Sequence, residues 1–355
     1  MKILLLTRYG YLGASSRYRS YQYLPYLKKL GFEFTVAPLL DNAYLERLPS
    51  GKGVVVSAIS RAYTQRVWLL LQSQKYDLIW LEKEAFPWIP ALLESLLFNS
   101  GVPYLVDYDD ALFHRYDQHK SSLIRQVLGK KIDSVMRRAA LVLAGNDYLA
   151  QRAHNAGAPR VEILPTVIDL ERYPIAQPPN NSQFTIGWIG SPSTSRYLKE
   201  IHPALQEICR DGTTKVVAVG ATPLELPGVP LEIKPWSEST EVEEMQQFDV
   251  GIMPLTDTPW EKGKCGFKLI QYMACVRPVI GSPVGVNQQI INQGINGFLS
   301  SSREDWIKAF QILKQNQELR ERMGKAGRVM VEEKYCLQKT LPDLANFLRS
   351  TASHC

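Results

Sequence analysis

Residues 260–287, from Trp260 to Asn287, read WEKGKCGFKLIQYMACVRPVIGSPVGVN. The run divides into a glycine-bearing loop, a short helix, a buried strand and a second Gly/Pro loop. Gly263 and Gly266 let the backbone come close to a ligand or take a positive φ. Phe267, Leu269, Ile270, Met273 and Ala274 recur at helical spacing and predict a helix over 267–274. Lys264 stands just before that helix and Lys268 lies in its first turn. Lysines at a helix start oppose the macrodipole, so their presence there points to an anion held by the ammonium groups and the helix N-terminus. The alternative is a pair of solvated lysines on a surface turn. Pro278-Val279-Ile280 reads as a buried strand that ends at Gly281-Ser282-Pro283-Val284-Gly285. Loops at the carboxyl ends of parallel strands are where open α/β sheets bind ligands.

Outward from this run, short apolar segments alternate with helical patterns along the whole chain. Strands are predicted over 184–188, 215–219, 231–233, 250–253, 278–280 and 297–299. Helices are predicted between them over 196–209, 241–247, 304–314 and 318–333. Upstream the same alternation gives strands at 2–7, 32–36, 54–56, 78–81, 104–106, 141–143 and 161–164. Helices are predicted there over 17–30, 60–74, 87–98, 121–138 and 148–156. Alternation of this kind makes parallel, doubly wound sheets covered on both faces. A polar, proline-rich stretch at 173–182 is the one clear linker. The fold class is therefore α/β: two Rossmann-like doubly wound parallel-sheet domains with a central cleft. The expected divisions are 1–175, 183–335, and a terminal helix within 336–355 that packs on either domain.

The 355 residues suit two domains, and a 45% hydrophobic content supplies two full cores. The net charge of +6 is uneven: residues 1–180 hold 22 basic and 16 acidic side chains, which accounts for all of the excess. The N-terminal half is thus the half expected to meet something anionic. Five cysteines without C-x-x-C or zinc spacing indicate free thiols and a cytoplasmic location. The opening apolar run is interrupted by Arg8 and Gly10, which makes it a first strand and not a signal. No run approaches the ~18 apolar residues of a membrane span.

Several loops could carry chemistry. The first βα loop holds Gly10 and Gly13 without G-x-G-x-x-G spacing, so a nicotinamide site is poorly supported. Arg17 and Arg19 open the first helix among tyrosines, either as a solvated face or as a site for an anionic acceptor. Asp107, Asp109 and Asp110 crowd a strand end, with His114 one turn on. Such a cluster can hold a divalent metal or supply a base; alternatively it caps the next segment or pairs with Arg115. Asn146 and Asp147 read as a helix cap. Gly190, Ser191 and Ser193 form a Gly/Ser loop between strand and helix that could cradle a phosphate, although the G-K-[ST] ending of a P-loop is missing. Trp236 ends a strand where an aromatic could hold a nucleobase or simply pack.

The order of elements, with the segments 184–190, 248–255 and 266–287, resembles the GT-B-fold retaining glycosyltransferases of family 4, the group-1 class, along most of the chain. Members of that family show Glu-x7-Glu in a stretch like E-P-F-G-x-x-x-x-E-A-M-A-x-G-x-P-V-I. Aligning Met273-Ala274 and Pro278-Val279-Ile280 places Gly263 and Gln271 at the two acid positions, so both acids are absent. The resemblance implies transfer of a sugar from a nucleotide-diphosphate donor, with retention, by a hexosyltransferase-type enzyme. It places the donor on the second domain, at Gly190, Ser191, Ser193, Trp236 and the run Lys264, Cys265, Gly266, Phe267, Lys268, Leu269, with Gln271 at the ribose or sugar. Asp109, Asp110 and Lys268 are the implied catalytic groups; Lys264 and Lys268 neutralise the leaving diphosphate. The acceptor, a glycan, a lipid-linked sugar or a small molecule, falls to Gly13, Arg17, Arg19 and His114. No cofactor is implied beyond the nucleotide sugar as co-substrate, no metal is required, and no nucleic acid is expected. The basic first helix, with Lys28 and Lys29, suggests peripheral contact with an anionic membrane at its inner face. A nucleotide-sugar epimerase of the same fold, or a non-catalytic nucleotide- or sugar-binding protein, would share most of these features.

Overall fold

The computed structural model describes residues 1–47, 56–98, 101–175 and 177–353. The chain divides into two compact units, Met1–Thr166 together with Thr340–Cys355, and Val167–Lys339. The proline-rich stretch at 173–182 and the boundary expected at 175–183 both fall inside the second unit. Tyr173 explains why: its ring is fully buried, and its carbonyl accepts a hydrogen bond from Arg328 at 2.6 Å.

The first unit is built on six parallel strands: β1 (Lys2–Leu6), β2 (Glu33–Val36), β3 (Leu78–Glu82), β4 (Tyr104–Tyr108), β5 (Leu141–Ala144) and β6 (Val161–Ile163). They lie in the order β2-β1-β3-β4-β5-β6. The inner strands are apolar but for Lys2, Glu82 and Asp107 near their ends because helices cover both of their faces, while β2 and β6 at the edges are partly exposed. The sheet order reverses between β1 and β3, so the loops that follow those strands open at a switch point.

The second unit repeats the plan with β7 (Phe184–Ile189), β8 (Thr214–Val219), β9 (Leu231–Lys234), β10 (Val250–Met253), β11 (Val279–Gly281) and β12 (Gly297–Leu299). Their order is β12-β11-β10-β7-β8-β9, which puts the reversal between β7 and β10. These two strands meet at a pair of glycines, Gly187 opposite Gly251. A Cβ on Gly187 would fall 1.9 Å from the ring of Phe248, and one on Gly251 2.2 Å from the ring of Tyr272. The missing side chains form a slot for two aromatic rings, whose centroids are 6.1 Å apart. Tyr272 then accepts a hydrogen bond at 2.9 Å from the Ile189 amide at the end of β7. The helix Phe267–Ala274 is in this way set against the centre of the sheet.

Several expected elements differ in detail; the helix expected over 196–209, for one, is a 3₁₀ segment Pro192–Ile201 followed by the helix His202–Cys209. The helix expected over 17–30 is broken into Ala14–Arg19, a 3₁₀ turn Tyr21–Tyr23, and Leu24–Lys29, because Pro25 has no amide to continue the ladder. The helix expected over 121–138 is two, Ser122–Leu128 and Lys131–Arg138, parted at Gly129. Residues 54 and 55 of the strand expected over 54–56 lie outside the described residues, and Val56 opens the helix Val56–Leu71. The last helix, Leu337–Ala352, buries Leu344 and Leu348. Thr340 in it shares a 2.7 Å hydrogen bond with the Tyr23 hydroxyl of the first unit. Among the described residues Cys209, Cys265, Cys275 and Cys336 are buried free thiols; Cys355 lies outside them. No helix of the described residues is long and apolar enough to cross a membrane.

Candidate active site

In the second unit the candidate site lies in the loops at the carboxyl ends of β7 and β10. Gly190 follows β7, and Lys268, in the first turn of the helix Phe267–Ala274, runs across it. A Cβ on Gly190 would sit 2.4 Å from the Trp188 indole and 2.9 Å from Cε of Lys268. The Lys268 ammonium lies 5.5 Å from the centroid of the buried Trp188 ring, a cation–π geometry. Gly220, at φ +77°, closes the other side, where a Cβ would meet the Gly190 carbonyl at 2.3 Å and Trp236 at 3.1 Å. Ser191 caps the 3₁₀ segment Pro192–Ile201 with Thr194 in a reciprocal box; Ser191 and Ser193 are exposed and share a 3.1 Å hydrogen bond. Trp236 is half-buried and donates its indole N–H to Glu241 at 2.9 Å.

The loop from β10 to the lysine helix is held by a carboxylate that the sequence reading passed over. Glu261 is buried and accepts hydrogen bonds from the hydroxyls of Tyr197 and Thr258. It thereby ties the helix Pro259–Lys262 to the segment after β7. The Lys264 amide donates to the Glu261 carbonyl at 3.0 Å, and Gly266, at φ +64°, starts the next helix. Lys264 and Lys268 are therefore set by backbone on either side of Gly266, both half-buried.

Other residues of this run do something else. Leu269 is fully buried in the core, and Cys265 is also buried. Gln271, expected at the ribose or sugar, is 4% exposed and donates its amide to the Tyr173 hydroxyl at 3.0 Å. It anchors the start of the second unit.

In the first unit a charge cluster stands at the ends of β1, β3 and β4. Lys83 follows β3 at φ +65°, an uncommon conformation for a residue with a side chain. Its ammonium lies 2.8 Å from Asp109, 3.6 Å from Asp110, and donates to Ser15 at 3.0 Å. Ser15 in turn donates to the other Asp109 oxygen at 2.5 Å. Burial drives the Asp109 carboxyl up, but Lys83, Ser15 and Arg19 outweigh it, and the group titrates below its ordinary value. Burial likewise opposes the charge of Lys83, and Asp109, Asp110 and Glu82 more than restore it, so its pKa is raised. Asp109 is thus a carboxylate balanced by an ammonium, with Asp110 beside the same ammonium. Glu82, beside them, accepts from the Arg8 amide at 2.9 Å and the Ser16 hydroxyl at 2.6 Å. A run of three charges, Glu82-Lys83-Glu84, directly after an apolar strand was the signal available in the sequence for this cluster.

Arg17 and Arg19, expected on a basic helix face, are buried instead, at 1% and 2% exposure. Arg19 makes a two-pronged ion pair with Asp107, with Nε to Oδ2 at 2.9 Å, and donates to the Leu164 carbonyl at 2.6 Å. Arg17 lies 4.8 Å from the Tyr18 ring centroid and donates to the Tyr11 carbonyl at 3.3 Å. Arg17 braces the first βα loop, where a Cβ on Gly13 would collide with Cβ of Tyr9 at 2.5 Å. His114 has both ring nitrogens engaged, by Asp117 at 2.8 Å and by the Tyr148 hydroxyl at 2.9 Å. Asn146 caps its helix as expected, accepting from the Leu149 amide at 3.0 Å.

Residues 183–316, most of the second unit, match the family model for glycosyl transferases group 1. No curated protein sequence matches the chain. Among solved structures, Anabaena HepE in complex with UDP superposes at a TM-score of 0.74 with 16% identity, covering 99% of this chain and 100% of that one. Sucrose-phosphate synthase from Thermosynechococcus elongatus gives 0.74 at 13% identity over 99% and 98% of the chains. A UDP-forming trehalose-phosphate synthase from Burkholderia xenovorans gives 0.66 at 12% over 99% of each. The fold is GT-B. In GT-B terms, the matched segment includes the Gly190 loop, Trp236 and the two lysines, and ends before the helix Gln317–Lys334.

Proposed function

We propose that the protein is a retaining glycosyltransferase of the family 4 type that moves a sugar from a nucleotide-diphosphate donor to an acceptor. The observation that carries this reading is Lys268 laid across Gly190 at the β7/β10 switch point, with Lys264 one loop away. Two ammonium groups at the positive end of a helix macrodipole suit a diphosphate, whose charge grows as the glycosidic bond breaks. Ser191, Ser193 and the Gly190 backbone line the phosphate side, and Trp236 is the aromatic available to a base. The match to the glycosyl transferases group 1 model over this segment supports the assignment, as do GT-B structures solved with UDP and UDP-glucose.

The first unit takes the acceptor in this reading, at the ends of β1, β3 and β4. Asp109 and Asp110 stand there with the Lys83 ammonium 2.8 and 3.6 Å from them. Because the lysines supply positive charge at the diphosphate, turnover proceeds without a divalent metal. The test is a thermal-shift and calorimetric screen against UDP, GDP, ADP and dTDP with their sugars, followed by NMR of the product's anomeric configuration. Binding of one nucleotide, an axial product from an axial donor, and activity retained in EDTA are expected. Absence of any nucleotide binding overturns the reading, an inverted product removes retention, and activity restored only by Mg²⁺ or Mn²⁺ removes metal independence.

A further inference from the structure

The helix Ala91–Leu97 keeps Leu93 and Leu97 half-buried but turns two leucines outward and its one acid inward. Its only buried residue is Glu94, while Leu92 and Leu96, one turn apart, are 69% and 66% exposed. Glu94 is held inward by the Phe86 amide at 2.8 Å and faces the buried Lys131 ammonium at 3.6 Å. A helix on a water-facing surface has the opposite arrangement, with leucines inward and the glutamate out. Neighbouring segments share the pattern. Trp88, just before this helix, is 46% exposed and rests edge-on against His119 at 5.8 Å. The chain then enters the helix Ser122–Leu128, which buries Leu128 and leaves Leu123 and Val127, again one turn apart, 65% and 52% exposed. The following helix, Lys131–Arg138, packs against Ala91–Leu97.

Charge completes the picture. Among the described residues from 87 to 140, every exposed ionic side chain is basic: Lys120, Arg125, Lys130, Arg137 and Arg138. The acids of this stretch are all buried or half-buried. Outward leucines and a tryptophan interleaved with cations fit the boundary zone of a lipid bilayer, where apolar side chains enter the acyl region and basic ones stay at the headgroups. A protein partner would need acids matched to all five cations around an apolar centre, and nothing in the arrangement selects such a partner.

We propose that this face, formed by Trp88 and the helices Ala91–Leu97 and Ser122–Leu128 with their basic flanks, docks on an anionic membrane surface. On the first helix Arg17 and Arg19 are buried, and only Lys28 and Lys29 of its basic residues are exposed. The full chain should sediment with equimolar phosphatidylcholine/phosphatidylglycerol vesicles, remain largely free with pure phosphatidylcholine, and detach as salt rises. Leu92→Ser with Leu96→Ser should lower the partition coefficient about tenfold or more, as should Leu123→Ser with Val127→Ser. Arg137→Ser with Arg138→Ser should weaken binding to the charged vesicles with unchanged circular dichroism, which keeps the test open if a leucine variant misfolds. Binding is read without donor, so the result does not depend on glycosyl transfer. Equal partition onto neutral and anionic vesicles, no partition onto either, or variants that bind like the parent overturn the proposal. So does a dimer in light scattering that Leu92→Ser with Leu96→Ser dissolves, because the face would then serve a second copy of the chain.

Discussion

At the scale of single residues, three side chains lend themselves to direct measurement. Lys268→Ala removes one charge-assisted contact to a developing phosphate charge, worth about 2–4 kcal/mol, or roughly 30- to 1000-fold in kcat. Lys264→Ala should have the same sign and a smaller size, because Lys264 precedes the helix. Steady-state kinetics with the donor selected by the nucleotide screen gives both values, and unchanged kcat/KM in both variants takes this loop out of the active site. Glu94 offers a stability readout. Burial pushes its carboxyl up to about 7, against the pull of Lys131. The folded state therefore holds a proton between about pH 4.5 and 7 that the unfolded chain has released, so this group makes stability fall as pH rises through that window. Glu94→Gln should flatten that part of the profile, a difference of up to about 3 kcal/mol between its ends. Urea titrations at pH 5, 6 and 7 check it; an equal slope in the variant means that another group titrates there.

At the scale of elements, the strand order rests on braces between strand ends. The Arg19–Asp107 pair is one, joining the first helix to β4 and, through the Leu164 carbonyl, to the end of β6. Arg19→Met should cost about 3–5 kcal/mol because it strands a buried carboxylate, and adding Asp107→Asn should recover part of that. Equal denaturant midpoints for the single and double variants would argue against the charge term. The elements themselves were legible in the sequence, because strands covered on both faces must be largely apolar runs: Leu78–Leu81 and Val250–Met253 could hardly be read otherwise. The lysine helix was equally plain from its periodicity and its glycine start. Gln271 was misplaced because facing the core or a ligand depends on what the fold brings up to it, here Tyr173, 98 positions away. Arg17 and Arg19 show the same limit. A charged helix start looks solvated until Asp107, 88 positions away, is found opposite it. Lys83 was overlooked because its partners Ser15 and Asp109 meet it only after three strands have paired.

At the scale of the molecule, the chain leaves its first unit at residue 166 and returns to it at residue 340. Deleting 340–355 should therefore injure the first unit. It removes the buried Leu344 and Leu348, each contributing about 1.5–3 kcal/mol, and the Thr340 hydrogen bond to Tyr23. Hydrogen exchange followed by mass spectrometry should quicken in peptides from 2–36 and stay unchanged in peptides from 184–253. Faster exchange in both sets would contradict the division. The return of the chain also bears on how the protein is made. A ribosome adding about 5–20 residues per second needs roughly 10–40 s to go from residue 166 to residue 355, and all that time the first sheet waits for its last helix. The second unit, contiguous in sequence, has every residue it needs sooner. The half of the molecule that is begun first is thus finished last, and during synthesis the nascent first sheet, Tyr23 included, is the surface for a chaperone to cover.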